Sequence, residues 1–416
     1  MIGVVQIKTK MLFSKICILI FFIALFAYMP TARYGDKYVG IAAFILLVGN
    51  TILCASRKTI EIKFDKVLLW YCAIVAYGIM SCIWSNSTEM LELYITNIFP
   101  MVLGATLCIS SYINSDEDLD TVFKMMIMAG CIAAIRFCYY TPWSIIFSSN
   151  SYIRGTFGSL IDDVTNYNNY TTHLAIICLI AAYYAVIRGK KWCWLSFGFL
   201  SAVVVVGGSR KNFIVIPLII LFYSLCQGNV KKKIKSMALV IFIITLGLYA
   251  LVNIEILSQI KTKSFEMVAG LFSNSNNMSQ VDESTIERLY LQFTALNVWT
   301  DHPLLGVGFN NFIHYNYLKI TAHNNYLEIL ASLGIIGLII YYSKYFASIV
   351  GCQKEILKGN VNSMNIMVMG VLLGYMLQEY GAVIVYSRER MIILILVFVA
   401  YSVTNKRKRY KLLNLK

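Results

Sequence analysis

About twelve apolar segments, each close to the roughly 20 residues that a helix needs to cross a bilayer, follow one another along this sequence. Hydrophobic residues make up 58% of the chain and charged residues 14%, against about 25% charged residues in an ordinary soluble domain. The sequence therefore predicts an all-α polytopic membrane protein that forms a single domain over residues 1–416. The predicted spans lie near 12–29, 38–55, 67–84, 95–112, 122–139, 171–187, 192–207, 212–227, 237–254, 325–348, 364–380 and 391–404.

The basic residues predict how these spans are oriented. A net charge of +15 comes mostly from short runs between apolar segments, which is the bias of cytoplasmic loops rather than of a nucleic-acid-binding surface. An even number of spans then places both termini in the cytoplasm. The acidic stretch NSDEDLD at 114–120 is also placed in the cytoplasm, which is unusual for a cytoplasmic loop. The assignment is kept because acidic residues carry little weight in the positive-inside rule. The basic runs are Arg57, Lys58, Lys63 and Lys66, then Arg188, Lys190 and Lys191, then Lys231, Lys232, Lys233 and Lys235, and the tail NKRKRYK.

One long polar segment, residues 255–322, lies between spans nine and ten and is predicted to be extracytoplasmic. A loop of this length inside a compact domain is usually functional, and we expect it to contribute part of an active site. Its second half has apolar residues at spacings of three and four, which predicts a helix over 285–299 that carries Arg288. Ser284 and Glu287 have the spacing of a capping box at its start.

Arg210 and Lys211, in the stretch GGSRKNF, are predicted to lie outside, where basic residues are not expected. Two interpretations stay open for Arg210. It is either an anchor whose stem lies along the apolar surface, or an arginine that binds a lipid phosphate through its bidentate guanidinium. Other charged residues on the same side are weaker candidates, with solvated loop residues as the default interpretation for each. They are Arg154, Asp162, Asp163, Arg388 and Arg390.

His323 directly precedes the apolar run NNYLEILASLGIIGLIIYY. It is either an ordinary residue of the membrane boundary or a general base kept neutral by the N-terminal end of the helix. Asn324 and Asn325 can cap this helix or bind sugar hydroxyls, and capping is the more common role. Glu328 lies inside the predicted span, where it either reaches towards the surface or orients polar partners.

Two further observations limit the chemistry. The stretch DHPLLGVGFNNF (301–312) predicts a structured loop, either re-entrant or on the surface, with Gly306 and Gly308 allowing it to fold back onto the helices.

The sequence contains no Walker-type loop and no strand followed by GxGxxG, and no carboxylate cluster suggests a metal site. We therefore expect no cofactor and no metal, so that an enzyme of this kind would receive its energy with the substrate, for example as a lipid diphosphate.

Three motifs occur in an order that resembles the O-antigen ligase and polymerase superfamily of membrane glycosyltransferases. They are GGSRKNF at a span end, WTDHPLLGVGFNNF in the long loop, and HNNYLEILASLGIIGL at the start of the next span. The resemblance is most direct over residues 200–345, and the twelve-span, GT-C-like layout agrees with it over the whole chain.

The resemblance implies a metal-independent glycosyl transfer on the outer face of the bacterial cytoplasmic membrane. The donor would be an oligosaccharide linked to undecaprenyl diphosphate, and a chain-length regulator protein would be a further partner. By motif, Arg210 and Arg288 resemble the arginines that hold the diphosphate. His323 resembles the family's essential histidine, proposed as the base on the acceptor hydroxyl, with phosphate binding as the alternative. Lys211, Asn324, Asn325 and Arg154 are weaker candidates for substrate binding.

Polymerase and ligase differ in the acceptor. A polymerase uses another lipid-linked oligosaccharide, whereas a ligase uses lipid A core. The basic outer residues suit two lipid diphosphates, so we favour a polymerase, with a ligase as the alternative. A flippase or other transporter is the rival from a different class, but transporters place charges near the bilayer midplane and often contain paired repeats.

Overall fold

The computed structural model describes residues 2–28, 35–57, 66–140, 167–206, 210–231, 283–359 and 364–413, with short pieces between 233 and 245. The regular elements in these ranges are all helical. A π-helical turn, Tyr94–Ile98, joins the short helix Glu89–Leu93 to the helix Phe99–Tyr112. The helices are α1 (Ile2–Tyr28), α2 (Gly35–Arg57), α3 (Lys66–Met80), α4 (Glu89–Leu93), α5 (Phe99–Tyr112), α6 (Asp116–Tyr140), α7 (Tyr167–Val186), α8 (Lys191–Val206), α9 (Arg210–Leu225), α10 (Glu283–Asp301), α11 (Asn325–Leu357), α12 (Met364–Glu379) and α13 (Arg388–Leu413).

The helical membrane fold predicted from the apolar segments is confirmed. Within the described ranges, six helical stretches are long and apolar enough to cross a bilayer, and four apolar helices are shorter. Every predicted span except 237–254 coincides with a described helix, and most of that segment lies outside the described residues. The total of twelve spans stays a prediction. The six long stretches are Met11–Tyr28, Asp36–Ala55, Lys66–Ile83, Glu89–Tyr112, Asp116–Tyr140 and Asn325–Leu357.

The acidic stretch at the start of α6 lies against basic residues. Asp120 accepts a hydrogen bond from the Tyr184 hydroxyl (2.8 Å), and its carboxylate lies 3.6 Å from the side-chain nitrogens of both Lys124 and Arg188. Arg188 follows the C-terminal end of α7. The acidic segment and one of the basic loops are therefore at the same end of the bundle, as the prediction that both are cytoplasmic requires.

Helix α10 confirms the helix predicted in the second half of the long loop, with a correction at its start. The helix begins at Glu283, so Ser284 lies in its first turn and does not precede it as the capping-box pattern predicted. Apolar residues of α10, among them Leu291 and Ala295, pack against Phe312 and Ala331 in a second, smaller core. This packing fixes α10, and Arg288 with it, beside the start of α11. The first part of the predicted loop, 255–282, lies outside the described residues.

Helix α11 is broken at Gly334, which has φ 64° and ψ −168°, a combination that is essentially restricted to glycine. The break leaves backbone groups of α11 without partners inside the helix, and inside a membrane domain such groups must be paired. The loop between α10 and α11 supplies the partners. The pairs are Val307 N–H with the Ala331 carbonyl (2.9 Å), Gly308 N–H with that of Ser332 (2.8 Å), Ile335 N–H with that of Pro303 (3.0 Å) and Ile336 N–H with that of Leu304 (3.3 Å).

The same loop packs into the helical bundle, and its re-entrant interpretation, which concerns the membrane, stays a prediction. Phe309 is buried in the main core, and its ring centroid lies 4.8 Å from that of Tyr94 and 5.1 Å from that of Tyr386. Its backbone N–H donates to the Ser81 hydroxyl (2.9 Å). Gly306, with φ 67°, lies directly against the backbone of Ser332. The long loop and the broken helix therefore form one structural unit.

We expect Gly334→Ala to destabilise the protein by about 1–3 kcal/mol from the backbone conformation alone. A Cβ there would also collide with the Leu304 carbonyl, which adds to the loss. Thermal unfolding of the purified variant, followed by size-exclusion chromatography of heated samples, measures the effect. Gly104→Ala is the matched control, because a Cβ at this helical glycine meets nothing within 4 Å. Equal melting temperatures for Gly334→Ala and the control would contradict the interlocked unit.

Candidate active site

Four helix ends meet at one end of the bundle. The Lys211 ammonium, at the start of α9, donates to the Gly381 carbonyl just beyond α12 (3.2 Å). Next to it, the Gln378 amide donates to the Asn212 side chain (2.8 Å). At the start of α13, the Arg390 guanidinium donates to the Val383 carbonyl (3.0 Å). The start of α11 joins the same place, because the buried Asn325 side chain accepts the N–H groups of Ile384 (2.9 Å) and Val385 (3.1 Å).

His323 lies just before α11 in a conformation that is uncommon for a residue with a side chain. Its φ is 52°, in the left-handed region that histidine adopts more readily than most residues. The residue after it, Asn324, is the N-cap of α11 and accepts hydrogen bonds from the N–H groups of Tyr326 (3.0 Å) and Leu327 (3.2 Å). The residue before it, Ala322, donates its N–H to the Glu328 carboxylate (2.8 Å). The backbone on both sides of the histidine is thus held by hydrogen bonds.

Positive charges surround His323. Burial, and after it the charges of Arg288 and Lys211, lower the pKa of His323 below its ordinary value of 6.5. Burial, and after it the charges of Arg390 and Arg288, hold the pKa of the Lys211 ammonium well below 10.5. We call Lys211, Arg288 and Arg390 the cation cluster. Because its members repel one another, an anion bound among them would be stabilised.

The structure brings three of the predicted site residues together, namely His323, Arg288 and Lys211. Arg210 is the first residue of α9, but its side chain lies outside the described part of the chain. Arg154 also lies outside the described residues. Each assignment to catalysis or substrate binding stays a prediction.

The two asparagines after His323 have distinct structural roles. Asn324 caps α11, which is the role that its position favoured. Asn325 is fully buried, and besides its contacts to Ile384 and Val385 it donates to the Tyr342 hydroxyl (3.2 Å). Its described hydrogen bonds therefore tie α11 to the segment between α12 and α13.

Two residues matter more in the structure than in the sequence analysis. Glu328 is fully buried and binds polar partners, so the interpretation that it reaches towards the surface is wrong. Arg390 is also buried and contributes to the electrostatics of Lys211, although a solvated loop residue was its default interpretation. The available signal was the same for both residues, namely a charged side chain at or within the boundary of an apolar span.

This arrangement suits a reaction in which a negatively charged group is bound and a proton is removed. Arginine and lysine bind phosphate oxygens by charge-assisted hydrogen bonds, and a neutral imidazole can accept a proton. Among the residues that the structure describes, no group of three or more His, Cys, Asp or Glu side chains comes together to hold a metal ion.

The fold and the site define an all-helical membrane protein with a cationic, histidine-containing site at one end of its bundle. Residues 195–342 match the family described as O-antigen ligase. The match covers most of α8, all of α9 and α10, and the first half of α11. It confirms the resemblance to the O-antigen ligase and polymerase superfamily. It supports an O-antigen ligase- or polymerase-type activity on a lipid-linked glycan in a bacterial membrane. A comparison with curated proteins gives no match.

Proposed function

We propose that this protein polymerises oligosaccharide repeats carried on undecaprenyl diphosphate, at the outer face of the bacterial cytoplasmic membrane and without a metal ion. The observation that carries the proposal is the cation cluster beside His323, whose pKa is lowered by burial and by the charges of Arg288 and Lys211. A diphosphate provides the negative charge that this cluster stabilises, and an acceptor hydroxyl provides the proton that His323 accepts. The family match over residues 195–342 supports the same class of reaction.

In the proposed reaction, an oxygen of the acceptor sugar attacks the anomeric carbon of the donor glycan. The bond between that carbon and the diphosphate oxygen breaks, and undecaprenyl diphosphate leaves with the bonding electron pair. Arg288 and Lys211 stabilise the charge that develops on the leaving diphosphate, with Arg210 as a further ligand predicted by motif. His323 takes the proton of the acceptor hydroxyl as the new glycosidic bond forms.

The side of the membrane is part of the proposal and rests on the basic runs of the loops. The site lies at the end of α7 opposite to Arg188, since the Gln378 amide also approaches the Thr172 carbonyl near the start of that helix (3.5 Å). The basic run 188–191 is predicted to be cytoplasmic. An extracytoplasmic site follows if α7 crosses the membrane once.

A ligase that transfers the glycan to lipid A core is the second candidate, and the description of the matched family as O-antigen ligase favours it. The two candidates share the donor and the leaving group, and differ in the acceptor. For the polymerase, the acceptor is a second lipid-linked oligosaccharide, whose diphosphate would also be bound by a basic surface.

The glycans of a deletion strain distinguish the two candidates. We expect the strain to lose long chains while single repeat units remain attached to their carrier or to lipid A core, because a polymerase is needed only for elongation. Gel electrophoresis of surface glycans and mass spectrometry of extracted lipid-linked glycans measure this. Full-length polymer accumulating on undecaprenyl diphosphate would contradict the polymerase and indicate the ligase. Plasmid-borne wild-type protein, restoring the normal pattern, is the control.

A further inference from the structure

The carboxylate of Glu328 joins the segment that carries His323 to the break in α11. One oxygen, Oε2, accepts the N–H of Ala322 at 2.8 Å, six residues back along the chain. The other, Oε1, accepts the hydroxyl of Ser332 at 3.1 Å. Because Glu328 is fully buried, water does not replace either hydrogen bond when it is lost.

The contact to Ser332 extends this connection to the loop between α10 and α11. The backbone carbonyl of Ser332 accepts the N–H of Gly308 (2.8 Å), and Gly334 breaks the helix two residues later. One side chain therefore connects the residue before His323, the broken part of α11 and the loop that is inserted there.

The position of Glu328 differs from that of an ordinary capping residue. In a capping box, the acidic residue follows the N-cap by three positions and binds the N-cap N–H. Here Asn324 is the N-cap, and Glu328 follows it by four positions and binds the N–H of Ala322, on the far side of His323. The histidine is thus enclosed between two hydrogen-bonded residues, and its left-handed backbone conformation persists because these neighbours hold it.

We propose that Glu328 is a positioning residue for His323, fixing the backbone at Ala322 so that the imidazole is held in the cation cluster in its reactive orientation. The inference rests on the proposed function, in which His323 accepts the proton of the acceptor. Glu328 acts through the backbone and does not touch the substrate. Its contribution therefore depends on the reach of the side chain and not on its charge.

This distinction can be tested with three variants of one residue. Glu328→Gln keeps the length of the side chain, because the amide oxygen accepts from Ala322 and the amide nitrogen donates to the Ser332 hydroxyl. Glu328→Asp keeps the carboxyl group but is one methylene shorter. Glu328→Ala removes the hydrogen bonds to Ala322 and Ser332. We expect kcat to fall on the order of a hundredfold in the alanine variant and clearly in the aspartate variant. The glutamine variant should stay within about threefold of wild type.

The assay follows release of undecaprenyl diphosphate by purified protein in nanodiscs, with lipid-linked repeat units extracted from the deletion strain and, in parallel, with lipid A core added. KM should change little, because Glu328 does not bind the substrate. Hydrogen exchange of the peptide containing Ala322 should accelerate in the alanine variant and remain near wild type in the glutamine variant. Ser115→Ala is the matched control for loss of a side-chain hydrogen bond to a backbone N–H at a helix start. Ser115 accepts the Asp118 N–H (2.9 Å) at the opposite end of the bundle.

A double substitution separates positioning from stability. If Glu328 acts through His323, then Glu328→Ala lowers the residual rate of a His323→Ala protein no further. A further loss of rate in the double variant would overturn the inference, and so would a wild-type kcat in Glu328→Ala. Normal activity in Glu328→Asp together with low activity in Glu328→Gln would also overturn it. If His323→Ala itself is fully active, the proposed function of His323 as the base is wrong. This result is distinct from the outcomes that contradict the positioning role of Glu328.

Discussion

Replacing His323 with alanine should lower the rate of glycan transfer by about 10²–10⁴-fold, the usual contribution of a general base. The imidazole lies just before α11, where burial, and after it the charges of Arg288 and Lys211, lower its pKa and favour its neutral, proton-accepting form. Expression and membrane insertion should remain normal, because His323 precedes the span and the cap of α11 comes from Asn324. The release of undecaprenyl diphosphate by the purified variant measures the effect, and His302→Ala, in the same loop, is the matched control.

The pH dependence identifies which form of His323 is active. Its pKa is lowered from 6.5, so the ring stays neutral at neutral pH and becomes protonated only in more acidic solution. If the neutral form is the base, kcat/KM should fall on the acidic side with a midpoint below 6.5. If His323 instead grips the diphosphate, the protonated form would help and the rate would hold or rise. Substantial activity in His323→Gln would also contradict the base role, because glutamine can donate a hydrogen bond but cannot accept a proton as a base.

Replacing Arg288 with alanine should raise the KM for the lipid-linked donor by roughly ten- to hundredfold, the range expected for a lost charge-assisted hydrogen bond. It should also move the acidic limb of the pH profile towards higher pH, because the positive charge of Arg288 lowers the pKa of His323. Arg288→Lys keeps the charge, so it should leave that limb in place while losing the bidentate contact. Steady-state kinetics from pH 5 to 8 measure both effects (about the range in which a histidine titrates).

Arg188 offers a matched control for loss of a partly buried arginine. It lies near Asp120 at the opposite end of the bundle, so Arg188→Ala should affect stability without moving the pH profile. Identical pH profiles for wild type and Arg288→Ala, with an unchanged KM, would show that Arg288 is not part of the site.

The predicted spans could be read from the sequence because each is encoded by a continuous apolar run. Every predicted span that falls in the described ranges coincides with a helix, and α10 was indicated by its spacing of three and four. Their ends were less certain. Ser284 was predicted to precede α10 and lies inside it, since side-chain patterns constrain the boundary of a helix only to within a few residues.

Part of the candidate site could also be predicted, because charged residues are unexpected next to a span and therefore stand out. Lys211 and His323 were identified in this way, whereas Arg288 was assigned by its resemblance to a family arginine. The structure brings the three residues together. The partners of Glu328 could not be inferred. Its contact with Ser332 follows helical spacing, but its contact with Ala322 depends on the turn at His323.

The break in α11 was the feature furthest from prediction. The run LASLGIIGLIIYY has the composition of an uninterrupted span, and a glycine within it is compatible with a straight helix. The interruption at Gly334 is stabilised by Val307 and Gly308, which are distant in sequence and belong to a loop whose depth in the bundle only the tertiary structure defines.

The most direct test of the central claim is the rate at which purified protein releases undecaprenyl diphosphate in the presence of EDTA. The protein would be supplied with lipid-linked repeat units extracted from the deletion strain. We predict release with elongation of the glycan for wild type, and a rate at least about a hundredfold lower for His323→Ala. Release that requires added lipid A core would make the protein a ligase. Equal rates for wild type and His323→Ala, or no release by wild type with either acceptor, would contradict the account.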